Sequence, residues 1–280
     1  MESKFFKVRE IAPQTRAIMG LGMEFCYLLE GQESALLIDA LTGAGNLRSF
    51  VRELTDLPVT LANTHGHVDH AGGNFDFDSC CLHPDDIPIV NEITVQERRG
   101  YVENMSRFNP GAPRLREDDF TPPKAIKILP LADGHVFDLG KRRVEAIAVP
   151  GHTRGSIVFL DGERGVLFSG DAINQNTLLC LPYAATIEEY RESLARLQTF
   201  APRFNVLYGG HSAEPYAPAI IDEGIELCGE IMAGTDDAEP GEFFGLKCFY
   251  GKKKNERFQR LDGKTANIAY GKETIFKKQP

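Results

Sequence analysis

Residues 65 to 70 read His65-Gly66-His67-Val68-Asp69-His70, placing four ligand-type side chains within six positions and using three of the chain's seven histidines. Imidazole nitrogen and carboxylate oxygen suit zinc, iron or manganese, and close-spaced side chains converge on an ion from a turn more readily than from a straight strand. The flanks predict such a turn: the apolar run Pro58-Val59-Thr60-Leu61-Ala62 leads in, and Ala71-Gly72-Gly73 follows. Three more strand-like runs end in the same way. Val144–Val149 precedes Pro150-Gly151-His152, Val166-Leu167-Phe168-Ser169 closes on Gly170-Asp171, and Asn205-Val206-Leu207-Tyr208 closes on Gly209-Gly210-His211. Each delivers one ligand-type residue beside glycine, which allows a sharp turn and close backbone approach. Together the seven side chains suffice for two metal ions.

With these motifs the sequence resembles the metallo-β-lactamase-fold hydrolases, in the broad group that includes hydroxyacylglutathione hydrolases (glyoxalase II) and acyl-homoserine lactonases. The resemblance spans residues 20 to 215, and five motifs appear in the family's order: Leu37-Ile38-Asp39, the His65–His70 cluster, His152, Asp171 and His211. It implies that His65, His67 and His152 hold a first metal, that Asp69, His70 and His211 hold a second, and that Asp171 bridges both. It implies two divalent ions, zinc foremost with iron or manganese as alternatives. Asp69 is the catalytic candidate, because beside ligation it can exchange protons with substrate or leaving group. Two departures stand out. Arg154 occupies the place of a proline common after Pro-Gly-His-Thr, and Asp39 is followed by Ala40-Leu41-Thr42-Gly43 rather than Thr-Gly. Asp39 is therefore expected to support the ligands rather than bind metal itself.

The resemblance also implies an α/β fold, the four-layer αβ/βα sandwich of the metallo-β-lactamase fold. The elements agree. Glu24–Glu30 and Ser34–Asp39 read as paired strands around Gly31-Gln32-Glu33, and Leu47, Phe50, Val51 and Leu54 have helical spacing. Pro58–Thr64 should be the strand feeding the cluster, with later strands at Ile126–Leu129, His135–Asp138, Arg143–Val149, Ser156–Asp161, Val166–Ser169 and Asn205–Tyr208. Thr186-Ile187-Glu188-Glu189 is a capping box that opens a helix running to about Phe200. Short strands are expected at Arg257–Leu261, Thr265–Tyr270 and Thr274–Phe276, with Asp262-Gly263 as a hairpin turn. The chain is read as one domain over 1–280, with a helical excursion at 84–124 and a C-terminal extension at 241–280. The excursion, closed by Pro110, Pro113 and Pro122-Pro123, either caps the substrate site through Ile93, Tyr101, Met105 and Phe108 or buries them in the core.

Composition narrows the function. At 280 residues, with 42% hydrophobic and 25% charged residues, the chain is an ordinary globular protein. No apolar stretch approaches the ~20 residues needed to cross a bilayer. Met1-Glu2-Ser3-Lys4-Phe5-Phe6-Lys7 lacks the apolar core of a secretory signal, so a cytoplasmic location is expected. Six cysteines without a framework rhythm, Cys80-Cys81 among them, read as core residues in a reducing compartment. A net charge of −9 opposes nucleic-acid binding. The expected partner is a small-molecule substrate, with no nucleic acid or membrane, and a homo-oligomer is left open. Acidic residues dominate from His211 to Leu246 and basic ones from Lys247 onward, a solvated face or a surface for an anionic substrate tail or partner subunit. His83 and His135 match no motif and are read as structural.

The expected activity is that of a dinuclear metallohydrolase, in which a hydroxide between the ions cleaves a small carboxylic ester, thioester or lactone. The aspartate at 171 argues against a true β-lactamase, and His67 and the missing flavin domain argue against a flavodiiron oxygen reductase. Phosphodiester hydrolysis, mononuclear iron-dependent persulfide dioxygenation and a non-catalytic metal-binding sensor are the alternatives.

Overall fold

The computed structural model describes residues 3–109, 111, 113–212 and 214–278; Met1-Glu2 and Pro110, which carried sequence expectations, lie outside them. A first sheet contains seven strands in chain order: β1 (Lys7–Ala12), β2 (Thr15–Met19), β3 (Phe25–Glu30), β4 (Ala35–Ile38), β5 (Val59–Ala62), β6 (Ser79–Leu82) and β7 (Lys127–Pro130). Its first four strands are antiparallel, and β4 to β7 run parallel. The second sheet contains β8 (Val136–Asp138), β9 (Arg143–Ala148), β10 (Ile157–Asp161) and β11 (Val166–Gly170). The chain then lays down β12 (Asn176–Leu179) elsewhere and returns with β13 (Val206–Gly209), which pairs parallel to β11 at the sheet's edge. Strand β12 joins β14 (Glu239–Phe243), β15 (Leu246–Tyr250) and β16 (Asn267–Tyr270) in a third sheet, ordered β12-β16-β15-β14.

Alternation along the strands dictates the layers, because successive side chains leave a strand on opposite faces. Tyr27, Leu29, Leu36 and Ile38 of the first sheet share one buried cluster with Val144, Ala146, Ile157, Phe159 and Phe168 of the second, so the two sheets pack face to face. The opposite face of the first sheet, with Cys26, Leu28 and Leu37, packs on Leu47, Phe50 and Val51 of α1 (Leu47–Leu54). The opposite face of the second, with Ile147, Val158, Leu160 and Leu167, packs on α5 (Ile187–Gln198) and α6 (Ile220–Ala233). Between α1 and α5 in the chain come α2 (Val68–Ala71), α3 (Ile87–Asn91) and α4 (Val95–Met105). Helix, sheet, sheet and helix make the four-layer αβ/βα sandwich. Cys80 faces the α1 side of β6 and Cys81 the inter-sheet side, so the adjacent thiols are two core residues on opposite faces.

The capping box of α5 forms as expected: Thr186 Oγ1 accepts from Glu189 N at 3.2 Å and the Glu189 carboxylate accepts from Thr186 N at 2.8 Å. Three C-terminal expectations are corrected. Arg257–Leu261 is not a strand, because the Asn255 side chain accepts hydrogen bonds from the Arg257 and Gln259 amides at 2.9 and 3.0 Å and folds the segment into a turn. Thr274–Phe276 is not a strand either: Lys272–Thr274 makes a 3₁₀ turn, and Ile275 O accepts from Glu188 N at the start of α5. Asp262-Gly263 does turn, with Gly263 at φ +83°, but no strands pair across it. The charge division resolves into pairs, since Lys252 and Lys264 of the basic segment meet Glu230 and Glu226 of α6. None of the helices among the described residues is long and apolar enough to cross a membrane.

Candidate metal centre

Four loops at strand ends build the site. The loop after β5 leads through His65-Gly66-His67 into α2, whose one turn carries Asp69 and His70. The loops after β9, β11 and β13 carry His152, Asp171 and His211. The donor atoms gather into two groups, His65/His67/His152 and Asp69/His70/Asp171/His211, each with its members within 4.8 Å of one another. All seven residues singled out from the sequence therefore meet. Asp171 Oδ2 stands between the groups, 3.7 Å from His152 Nε2, 3.8 Å from His70 Nε2 and 3.2 Å from His211 Nε2. Gly210 permits this density, as a Cβ there would lie 2.5 Å from the His70 ring and 2.7 Å from Asp171 Oδ1.

Neighbouring hydrogen bonds fix which nitrogen each ring turns inward. His70 Nδ1 donates to Asp39 Oδ2 at 2.9 Å, and His152 Nδ1 donates to Leu178 O at 2.9 Å. The Thr64 hydroxyl donates to Asp39 at 2.8 Å, so it accepts from His65 Nδ1 at 3.0 Å. These three rings therefore carry a proton on Nδ1 and turn Nε2 toward the cluster. His67 instead offers Nδ1, 2.9 Å from His152 Nε2. His65 Nε2 and His70 Nε2 are buried without any hydrogen-bond partner, which a buried polar nitrogen does not tolerate cheaply. A buried ring nitrogen left without a partner in each donor group, with the Asp69 and Asp171 carboxylates in the same cluster, is what a borderline-soft divalent cation satisfies, so the donor set fits metal ions.

The electrostatics divide the groups. Burial lowers His65 well below its ordinary pKa, reinforced by His70, His152 and His67. Burial and His152 lower His67 to about 3, and burial lowers His152 despite Asp171. These rings are neutral donors. At His70 and His211 burial also opposes charge but is outweighed: Asp69, Asp39 and Asp171 raise His70, and Asp171 and Asp69 raise His211 to about 10. Asp69 and Asp171 would be raised by burial, yet His70 and His211 hold both well below the usual carboxylate range. His211 lies at the rim, its side chain 30% exposed.

Asp39 supports rather than completes the cluster, as its sequence context suggested. Asp86, which drew no attention in the sequence, binds two metal loops together. It accepts from Gly66 N at 2.8 Å, Thr153 Oγ1 at 2.7 Å and Gly155 N at 2.9 Å. Gly155 must be glycine for this, because a Cβ would sit 2.5 Å from Asp86 Oδ1. Glu24 was also missed: it is buried, takes bonds on Oε1 from Thr42 N at 3.1 Å and Thr42 Oγ1 at 2.8 Å, and leaves Oε2 unpartnered. Arg154 does no ligation; it pairs with Glu189 at 3.1 Å and links the His152 loop to the start of α5. From the excursion, Tyr101 lies beside Gly22 and Glu24 and its phenol is raised by burial and by the Asp69 and Glu24 charges, Ile93 is core, and Phe108 is half exposed. His83 caps the Pro84–Asp86 turn and His135 packs on Phe137, so neither enters the cluster.

The sequence model described as the metallo-beta-lactamase superfamily matches residues 19–211. The chain belongs to that superfamily. Acyl-coenzyme A thioesterase MBLAC2 of Gallus gallus is 29% identical over 187 residues, covering 63% of this chain and 67% of that protein. Its Homo sapiens counterpart is 29% identical over 184 residues, 61% of this chain and 66% of that one. The match thus spans about two thirds of these relatives. A probable polyketide biosynthesis zinc-dependent hydrolase of Bacillus subtilis is 22% identical over 67% of this chain and 72% of its own. Among solved structures, a metallo-beta-lactamase from Pontibacter korlensis superposes with a TM-score of 0.56 at 16% identity, covering 79% of this chain and 97% of that one. A metallo-beta-lactamase family protein from Thermus thermophilus gives 0.50 at 22% identity, covering 85% and 84%. As a member of this superfamily with hydrolase relatives, the chain is a metal-dependent hydrolase.

Proposed function

We propose that the chain is a dinuclear metallohydrolase that cleaves a small-molecule thioester of the acyl-coenzyme A kind. The observation that carries the two-ion reading is the single Asp171 oxygen lying within 3.8 Å of histidine nitrogens from both donor groups, the position of a bridging carboxylate. His65, His67 and His152 would hold one ion, and Asp69, His70 and His211 the other. Zinc is favoured by the imidazole-rich donor set and by the zinc-dependent Bacillus relative. The thioester is favoured over oxygen esters and lactones by the two thioesterase relatives. When bound, the ions supply a deprotonated water at neutral pH and Lewis acidity toward the carbonyl. Asp69, held as a carboxylate beside His211 at 3.2 Å, takes up a proton and returns it to the leaving sulfur. Tyr101, kept protonated by burial and by the Asp69 and Glu24 charges, donates into the same space. We read residues 1–280 as one catalytic domain whose 84–124 excursion caps the site, since α4 brings Tyr101 to Asp69. Six unpaired cysteines favour the cytoplasm.

The test is elemental analysis followed by turnover on matched thioester, oxygen-ester, lactone and phosphodiester panels. Two ions per chain and preferred thioester cleavage are expected. One ion after saturation with zinc, manganese and iron would return the persulfide dioxygenase reading, and phosphodiester cleavage without carbonyl hydrolysis would overturn the thioesterase.

A further inference from the structure

The hairpin joining β14 to β15 turns on Phe244-Gly245, both with positive φ, 45° and 82°. Consecutive positive φ values make a type I′ turn, for which Asn-Gly is the low-strain sequence, and a bulky aromatic in the left-handed region is a backbone outlier. Burial in the core does not explain the choice, because Phe244 is 49% exposed and its turn neighbour Leu246 40%. The Phe244 ring instead meets Phe243 edge-on at 4.5 Å and reaches Tyr101 of α4 at 6.1 Å. Tyr101 lies over Gly22, where a Cβ would come within 2.8 Å of its ring and 2.7 Å of Glu24 Oε2, and its helix packs on α2, which carries Asp69. An aromatic path thus runs from a carboxylate of the metal centre to an exposed apolar knob, whose backbone strain brings no core packing in return.

We propose that Tyr101, Phe243, Phe244 and Leu246 hold the hydrocarbon tail of the substrate, so that the site selects long acyl chains over short ones. This rests on the thioesterase reading for the head of the substrate, while the tail site stands on the hairpin geometry. With the Tyr101 ring between the centre and Phe244, an acetyl group stops short of the hairpin and a dodecanoyl chain runs along it. The chain length at which affinity stops rising marks the end of the knob.

The probes are the uncleavable S-dodecyl and S-ethyl thioethers of coenzyme A, titrated calorimetrically into the metal-loaded full chain and its Phe244→Asn variant. Asparagine suits the turn, so the variant should fold with unchanged metal content and an equal or higher Tm. Wild type should bind the dodecyl probe at least roughly 30-fold more tightly than the ethyl probe, and Phe244→Asn should cut that ratio by about 10-fold. A wild-type Kd independent of alkyl length, or full chain-length preference in the variant, overturns the tail site. So does a wild-type dimer that Phe244→Asn dissociates without altering the ratio, which would make the knob a contact between copies. Length-dependent binding without turnover of any acyl-coenzyme A would leave the tail site standing and sink the thioesterase reading instead.

Discussion

Asp39 controls two histidines of different donor groups with one carboxylate. It sits at φ 68°, a left-handed position that aspartate tolerates better than most residues, and accepts from Thr64 N at 2.7 Å, Thr64 Oγ1 at 2.8 Å and His70 Nδ1 at 2.9 Å. Through Thr64 it also fixes the His65 tautomer. Asn offers one acceptor oxygen where Asp39 uses two, so Asp39→Asn should weaken metal binding by about 10-fold or more, read by competition with a chromophoric chelator. Asp69 calls for a different outcome. Its carboxylate faces His211 and the Tyr101 phenol, so Asp69→Asn should lower kcat by about 100-fold or more while the melting temperature moves little. His83→Ala and His135→Ala serve as controls and should keep activity within a few-fold. Equal damage from His83→Ala and His152→Ala would refute the ligand set.

Helices and strands differ in how openly the sequence declares them. The strands that feed the centre were readable because each is an apolar run stopped by glycine and a ligand-type residue, α1 because its buried positions keep helical spacing, and α5 because the same spacing follows a capping box. Strands β1 and β2 escaped notice: β1 is an edge strand carrying Lys7, Arg9 and Glu10, charges that protect an edge but blur the alternation. The β14–β15 hairpin was hidden because its turn uses Phe-Gly where the turn type asks for Asn-Gly. Asp86 was illegible for another reason. Following Pro84 it looks like an ordinary acidic helix start, which it is, and only the fold brings Gly66, Thr153 and Gly155 to it. Asp86→Ala would leave the buried amides of Gly66 and Gly155 unpaired, while Thr153 Oγ1 keeps Ser156 Oγ at 2.9 Å, so a loss of roughly 2–5 kcal/mol in unfolding free energy is expected. Because the strap joins the loops that carry His65, His67 and His152, the proposed holders of the first ion, the variant should also release metal faster in stopped-flow chelation.

At the scale of the whole molecule, the proposed metal centre is a joint between the two large sheets. His65, His67, Asp69 and His70 follow β5 of the first sheet, whereas His152, Asp171 and His211 follow β9, β11 and β13 of the second. Neither sheet alone assembles either donor group, since His152 completes the first and Asp171 and His211 the second. Metal binding therefore adds to the inter-sheet packing of Tyr27, Phe159 and Phe168, and any ligand that binds only the folded chain stabilises it by mass action. At free zinc 100-fold above Kd each site should contribute about 2.7 kcal/mol, which appears as a higher Tm for the whole chain rather than for a part. Chelation by a strong competitor should lower the Tm in one cooperative transition followed equally by near-UV and far-UV circular dichroism. Asp171→Ala, which removes the carboxylate between the groups, should lose most of this zinc-dependent increment and most of the turnover together. If instead one sheet melted separately on chelation, or if Asp171→Ala kept the full thermal shift, the centre would not be the joint that holds the sheets, and the assignment of Asp171 as the bridge would fall with it.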